Sequence, residues 1–185
     1  MSDKTQFDAG VRESIHEGRQ VTHEELISLL NEDLAREYQA IIAYVVYSQT
    51  LKGAEYMTIA DELVQHAQQE LAHAITIARQ IDYLGGEPTV NPKPVRTSQD
   101  AREMLQFDLD NENETVRHYR DRVRQCEALG EFAMAEHIRE ILVQEQDHQI
   151  ELATALGREM DEATAPARQE TASRPNGKKR TPART

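Results

Sequence analysis

Glu37, Glu70 and His73 recur as Glu112, Glu145 and His148, each 75 residues further along the chain (112 − 37, 145 − 70, 148 − 73). In both copies a lone glutamate precedes a Glu-x-x-His pair by 33 residues. A pattern that repeats in frame over such an interval requires the two halves of the fold to set the same side chains in the same relation. Glu and His three apart share one face of a helix, so both reach one point from a single segment. Four carboxylates and two imidazoles presented by helices are the donor set of a two-metal site in a helix bundle.

The sequence around these residues reads as helical. Thr22-His23-Glu24-Glu25 has the form of a capping box and opens a first helix running to about Lys52, where Gly53 marks a stop. A second helix runs to about Leu84 before Gly85-Gly86. Pro88, Pro92 and Pro94 make the next stretch extended. Thr97, Ser98 and Asp100 signal a third helix to about Leu129, and a fourth is expected from about Glu131 to Met160. Leu30, Leu34, Glu37, Ile41, Tyr44, Ser48 and Leu51 alternate steps of four and three, as do Leu105, Leu109, Glu112, Val116, Tyr119, Val123 and Cys126. These are bundle seams, and the six residues fall inside them.

That position has an energetic consequence. A bare carboxylate in an apolar core costs several kcal/mol even after relaxation, and neighbouring carboxylates are driven to protonate. Two divalent cations balance four negative charges and remove the conflict. The connections predict the topology. Breaks near Gly53 and Gly130 make two antiparallel hairpins. The connector from Gly86 to Thr97 reaches roughly 40 Å when extended, against roughly 44 Å for a helix of this length. It can therefore run most of the way along the bundle and leave the second and third helices parallel. The expected fold is all-α: a four-helix bundle of two antiparallel hairpins joined by a long crossover.

Composition adds exclusions. Residues 22–160 carry 12 basic and 26 acidic side chains, a net −14, which suits cations and is a poor nucleic-acid surface. The single Cys126 rules out an intrachain disulfide and any multi-cysteine metal site, and reads as a small buried hydrophobe. No apolar run approaches the roughly 20 residues of a membrane span, and no secretory leader follows the first Met. A cytoplasmic, membrane-free protein is expected. Residues 1–21 read as a flexible polar arm, 22–160 as the four-helix domain, and 161–185 as a disordered tail of net +3.

These residues resemble the ferritin-like di-iron carboxylate family, bacterioferritin above all, over about residues 22–156. The resemblance rests on the two Glu-x-x-His motifs, the two upstream glutamates, Tyr44 seven residues after Glu37, and the stretch Glu103-Met104-Leu105 to Glu112. It implies two iron ions, with Glu37 and Glu112 as terminal ligands, Glu70 and Glu145 as bridges, and His73 and His148 completing one ion each. Tyr44 matches a tyrosine that donates a hydrogen bond or an electron beside such centres. The implied activity is ferroxidase: oxidation of Fe(II) by O2 or H2O2, for detoxification or storage. Where bacterioferritin has a heme-ligating Met, this chain has Leu71, so heme is not expected. The positions of an extra inner-surface iron site hold Gln65 and Gln69. Residues 161–185 lack the large apolar side chains of a cage-closing fifth helix. A homo-oligomer is expected, a dimer or larger, with a 24-subunit cage left open.

The residues leave two alternatives. Carboxylate and imidazole donors also suit manganese, so a non-storage di-iron or di-manganese oxidase or peroxidase is compatible. Lys178-Lys179-Arg180 in the tail would fit a nucleic-acid arm over residues 166–185, although a solubilising tail is the plainer reading. Tyr119 reads as a core aromatic, and His66 and His137 as ordinary seam or boundary residues.

Overall fold

A computed structural model describes residues 21–160. The expected arm over 1–21, apart from Val21, and the expected tail over 161–185, with its nucleic-acid segment, lie outside the described residues. Four helices follow one another: α1 (His23–Thr50), α2 (Met57–Tyr83), α3 (Ala101–Ala128) and α4 (Phe132–Ala155). A 3-10 turn, Ala54–Tyr56, joins α1 to α2. Among the described residues no helix is long and apolar enough to cross a membrane.

Local chemistry sets the helix ends. The Thr22 hydroxyl accepts from the Glu25 amide at 3.2 Å, while the Glu25 carboxylate accepts from the Thr22 amide at 2.9 Å. Two of the backbone donors that a helix start leaves unpaired are thereby satisfied. Asp100 caps α3 through the Glu103 amide at 2.9 Å. The fourth helix ends at Ala155 and not at Met160 as the sequence predicts. Gly157 adopts φ 66°, and the chain turns out as Gly157 N bonds to Thr154 O and Arg158 N to Ala153 O, each at 2.9 Å. A left-handed glycine with this bond pair closes a helix. The α1 helix likewise stops at Thr50, two residues before Lys52.

Side-chain pairs give the helix directions. Across α1 and α3, Asp33 meets Arg122, Glu37 meets Tyr119 and Tyr44 meets Glu112, so numbers rise on one helix as they fall on the other. Across α2 and α4, Gln69 meets His148 and His73 meets Gln144. Both pairs are antiparallel. The connector lies along α1: Thr89 N bonds to the Asn31 side chain (2.6 Å), Lys93 N to Ala35 O (2.9 Å), and the Gln39 amide to Pro94 O (2.7 Å). Tyr47 then donates to Arg96 O. The long crossover is thus zipped onto one helix, and α2 and α3 run parallel.

Two apolar clusters occupy the bundle. One contains Leu63, Leu105, Leu109 and Leu152, and the other Leu30, Leu34, Ile77, Ile81 and Ile138. Each fully buried aliphatic side chain of this kind stabilises by about 1.5–3 kcal/mol. Glu37, Glu70, His73, Glu112, Glu145 and His148 belong to neither cluster, and all six are buried.

Candidate metal centre

Each helix contributes from its middle. The α1 helix supplies Glu37, α2 supplies Glu70 and His73, α3 supplies Glu112, and α4 supplies Glu145 and His148. The structure brings all six together as two groups of four. Glu37, Glu70, His73 and Glu145 form one; Glu70, Glu112, Glu145 and His148 form the other. Within each group the ligand atoms all lie within 4.8 Å of one another, and Glu70 and Glu145 belong to both.

Both imidazoles present Nδ1 to the centre. His73 Nδ1 lies 2.9 Å from Glu70, 3.0 Å from Glu145 and 3.5 Å from Glu37. His148 Nδ1 lies 3.0 Å from Glu70 and 3.7 Å from Glu145. The outer nitrogens are also engaged: His73 Nε2 with Gln144 Oε1 at 3.0 Å, and His148 Nε2 with Gln69 Oε1 at 2.7 Å. With the amide oxygens as acceptors, each Nε2 donates, and each Nδ1 is the nitrogen turned to the carboxylates, where a cation would displace its proton.

Tyr44 and Tyr119 complete the symmetry. The Tyr44 hydroxyl donates to Glu112 and the Tyr119 hydroxyl to Glu37. Tyr119 is therefore more than the core aromatic the sequence suggests. Gln69 and Gln144 escape sequence reading because glutamine is common on helices. Their one signal is that they too stand 75 apart (144 − 69), each just before a site glutamate.

The electrostatics are those of a site built for positive charge. Burial, then the charges of Glu70 and Glu145, holds the Glu37 carboxyl well above the usual carboxylate range. Burial, then Glu145 and Glu70, does the same for Glu112. Burial would also raise Glu70, but the adjoining His148 and His73 imidazoles outweigh it and leave this carboxyl low. His148, although buried, is pushed up to about 9 by Glu145 and Glu70. Hydrogen bonding does not resolve the crowding. Glu37 Oε2, Glu70 Oε1, Glu112 Oε2, both Glu145 oxygens and His148 Nδ1 are buried without a hydrogen-bond partner. Unsatisfied buried oxygens of this kind are costly, and two divalent cations would satisfy them, so the donor set fits hard first-row metals.

A cavity of about 600 Å³ opens between α1 and α3 and reaches Glu37, Glu70, Glu112 and Glu145 at its floor. Glu32, Glu114 and Asp121 line its walls together with Arg36, Lys93 and Arg122. Glu114, two residues from Glu112, belongs to neither ligand group and lies half-exposed beside this opening. One seam residue the sequence reads as ordinary stands beside the centre. His66 is buried, stacks on His148 with ring centroids 4.0 Å apart, and bonds Glu151 at 2.6 Å.

An antiparallel four-helix bundle with two carboxylate-imidazole groups sharing two carboxylates at its centre defines the class of di-metal carboxylate bundles. The family profile of the ferritin-like domain matches residues 27–160. The chain belongs to the ferritin-like family. It is similar to the bacterioferritin of Desulfovibrio desulfuricans, 31% identical over 124 residues that span 66% of this chain and 69% of that protein. It is also similar to the bacterioferritin of Brucella melitensis, 26% identical over 141 residues, 72% of this chain and 88% of that protein. Among solved structures, a ferritin-like diiron-carboxylate protein of Bacillus anthracis matches with a TM-score of 0.70 at 34% identity, over 72% of this chain and 96% of that one. The bacterioferritin of Rhodobacter capsulatus, solved with a metal-free dinuclear site and heme iron, matches in fold with a TM-score of 0.67 at 24% identity, over 75% of this chain and 87% of that one.

Proposed function

We propose that the protein is a bacterioferritin-like ferroxidase that takes up two Fe(II) per chain and oxidises them with O2 or H2O2, in the service of iron detoxification and storage. The observation that carries this reading is the membership of Glu70 and Glu145 in both ligand groups. Two ions held by shared carboxylates sit close enough to give their electrons to one oxidant. Two Fe(II), losing one electron each, reduce O2 and two protons to H2O2, or H2O2 and two protons to two waters. Iron is the substrate here, and the chain binds and positions it.

Glu37 with His73 and Glu112 with His148 complete the two positions. Tyr44 and Tyr119 hold the terminal carboxylates in place. Tyr44 also lies edge-on to His148 at 6.1 Å, and to it we assign proton or electron donation beside the centre. The α1–α3 cavity supplies a path for the ion and the oxidant. Leu71 is 53% exposed on α2 and has no donor atom, so the proposal includes no heme there.

We propose further that the chain works as a homo-oligomer. Ile42, Val45, Val46, Val64, Leu71 and Ile75 are exposed on the outer face of the α1–α2 hairpin. Exposed apolar side chains in this number on one hairpin support an interface between subunits.

Anaerobic protein titrated with Fe(II) and then exposed to air tests the reading. A fast phase saturating at two Fe(II) per chain is expected, lost in Glu70→Ala and halved in binding stoichiometry in Glu37→Ala or Glu112→Ala. Oxidation continuing past two in a large particle supports storage, whereas a small oligomer that stops at two supports a fixed-centre oxidase. Absence of saturable Fe(II) binding rejects the proposal.

A further inference from the structure

The 75-residue offset makes each half of the bundle a reference for the other. It pairs Glu37 with Glu112, Tyr44 with Tyr119, Gln69 with Gln144, Glu70 with Glu145, and His73 with His148. A symmetric centre needs no more than these. The offset fails at several neighbouring places, three of which bear on the flanks of the centre. His66 corresponds to Ile141 (141 − 66), Glu151 to Thr76 (151 − 76), and Arg122 to Tyr47 (122 − 47).

The failures fall out as two unlike flanks. On the α2–α4 side, the wall beside the Glu37/His73 position is closed. Ile141, 4% exposed, belongs to an apolar cluster, and Thr76 bonds its own helix at Ala72 O. On the α1–α3 side, where Arg36 and Arg122 line the cavity, both of them pair with Asp33, one turn from Glu37, Arg122 at 2.5 Å and Arg36 at 2.6 Å. Beside the Glu112/His148 position the wall carries free donors. His66 is 2% exposed and stacks on His148, with an interplanar angle of 27°. Its Nδ1 is buried without a partner, and its Nε2 lies 2.6 Å from Glu151 Oε2. The Glu151 side chain is 45% exposed. Asp108, one turn from Glu112, keeps its buried Oδ2 unpartnered.

We infer that the two metal positions are inequivalent, and that His66 and Glu151 form a transfer site through which a divalent cation exchanges between the Glu112/His148 position and the α2–α4 surface. The inference rests on the di-metal reading proposed above. A cation leaving Glu112 and His148 meets an imidazole one ring-stack away and then a carboxylate open to water, both good donors for divalent first-row ions. A cation leaving Glu37 and His73 in that direction meets an aliphatic side chain, which offers it no ligand. The path is distinct from the α1–α3 cavity and lies on the opposite pair of helices.

Release kinetics test this without reference to oxidation. The full chain is loaded anaerobically with Co(II) alone, and its release into excess chelator is followed by stopped-flow absorbance. Wild-type protein should bind two Co(II) and release them in two phases, one ion each. His66→Ile, which copies the other flank, and Glu151→Ala, which alters only a surface side chain, should each slow the fast phase by about 10-fold, on the scale of outer-sphere effects on metal sites. The slow phase and the stoichiometry should not change. Ile141→His should accelerate the slow phase. A single release phase for two bound ions overturns the inference. So does a fast phase unchanged or accelerated in both His66→Ile and Glu151→Ala, since acceleration would mark His66 as a prop for His148. Fewer than two Co(II) bound by the wild type rejects the di-metal reading itself, and the inference with it.

Discussion

Ile42, Val45, Val46 and Val64 lie exposed on the α1–α2 hairpin, and 75 residues later stand Arg117, Arg120, Asp121 and Arg139 on the α3–α4 hairpin. At the centre itself, the same two hairpins present matching Glu, His, Tyr and Gln residues. The inner seams answer to one requirement, a centre with donors from both sides, and that requirement acts equally on each half. The outer faces answer to whatever each hairpin meets. Charged side chains suit water, and an apolar face suits another protein surface. Duplication therefore persists at the shared centre and is lost at most of these surface positions, although Ile75 and its counterpart Ile150 are exposed on both hairpins.

The sharpest way to break the comparison is at the ends of the centre. Asp33 and Asp108 are 75-residue counterparts, but Arg122 pairs with the first, while the second keeps its Oδ2 without a hydrogen-bond partner among the described residues. Arg122→Met should destabilise the protein by about 2–3 kcal/mol, because it leaves the buried Asp33 carboxylate with Arg36 as its remaining cationic partner, short of the full cost of an unpaired buried charge. Thermal unfolding should show the loss, and adding Asp33→Asn should recover much of it. If the double variant unfolds as early as the single one, the cost is packing and the ion pair is incidental.

A smaller effect probes what the halves share. Gln69→Leu and Gln144→Leu each remove the acceptor that orients one imidazole. Each should weaken metal binding at its own position by about 10–100-fold, measured by competition against a chelator of known affinity. Unequal losses, or a loss at the position across the centre, would contradict matched roles for the two glutamines.

The smallest effect concerns Asp108. Burial, then the charge of Glu70, holds its carboxyl well above the usual range. An acid raised in the folded state binds more protons there than in the unfolded chain, so stability falls as pH rises above the unfolded value of about 4. Asp108→Asn removes that loss. In metal-free protein it should stabilise by about 1 kcal/mol near neutral pH, with no gain below about pH 4. A melting temperature equal to wild type at pH 7.5 would mean that the Asp108 charge is satisfied after all. The raised carboxyls of Glu37 and Glu112 act in the same direction.

Much of the architecture was legible because its signals are local. The Thr22–Glu25 capping box, the Asp100 cap and the glycine stops are short-range chemistry, and the structure places helix ends within a few residues of them. The exception is α4. Its sequence carries acidic and apolar residues on to Met160, and the left-handed turn at Gly157 ends it earlier. The six site residues were legible because they recur in frame. Tyr119, Gln69, Gln144 and His66 were harder to read, for one reason: each acts through a partner on another helix. A helical period says which way a side chain faces, not what stands opposite.

The sequence by itself determined four amphipathic helices, two hairpins, a crossover long enough to leave α2 and α3 parallel, and a ligand set written twice. Periodicity, caps and connector length are properties of one chain segment at a time, and so they survive without coordinates. Tertiary structure alone decided that Glu70 and Glu145 belong to both ligand groups, that the glutamines hold the imidazoles, that Ile141 closes one flank while the other carries His66, and that Asp33 is paired while Asp108 keeps an unpartnered oxygen. These are distances between residues far apart in the chain. They exist only once packing has brought four helices to one centre, where a few ångströms separate a paired charge from an orphaned one.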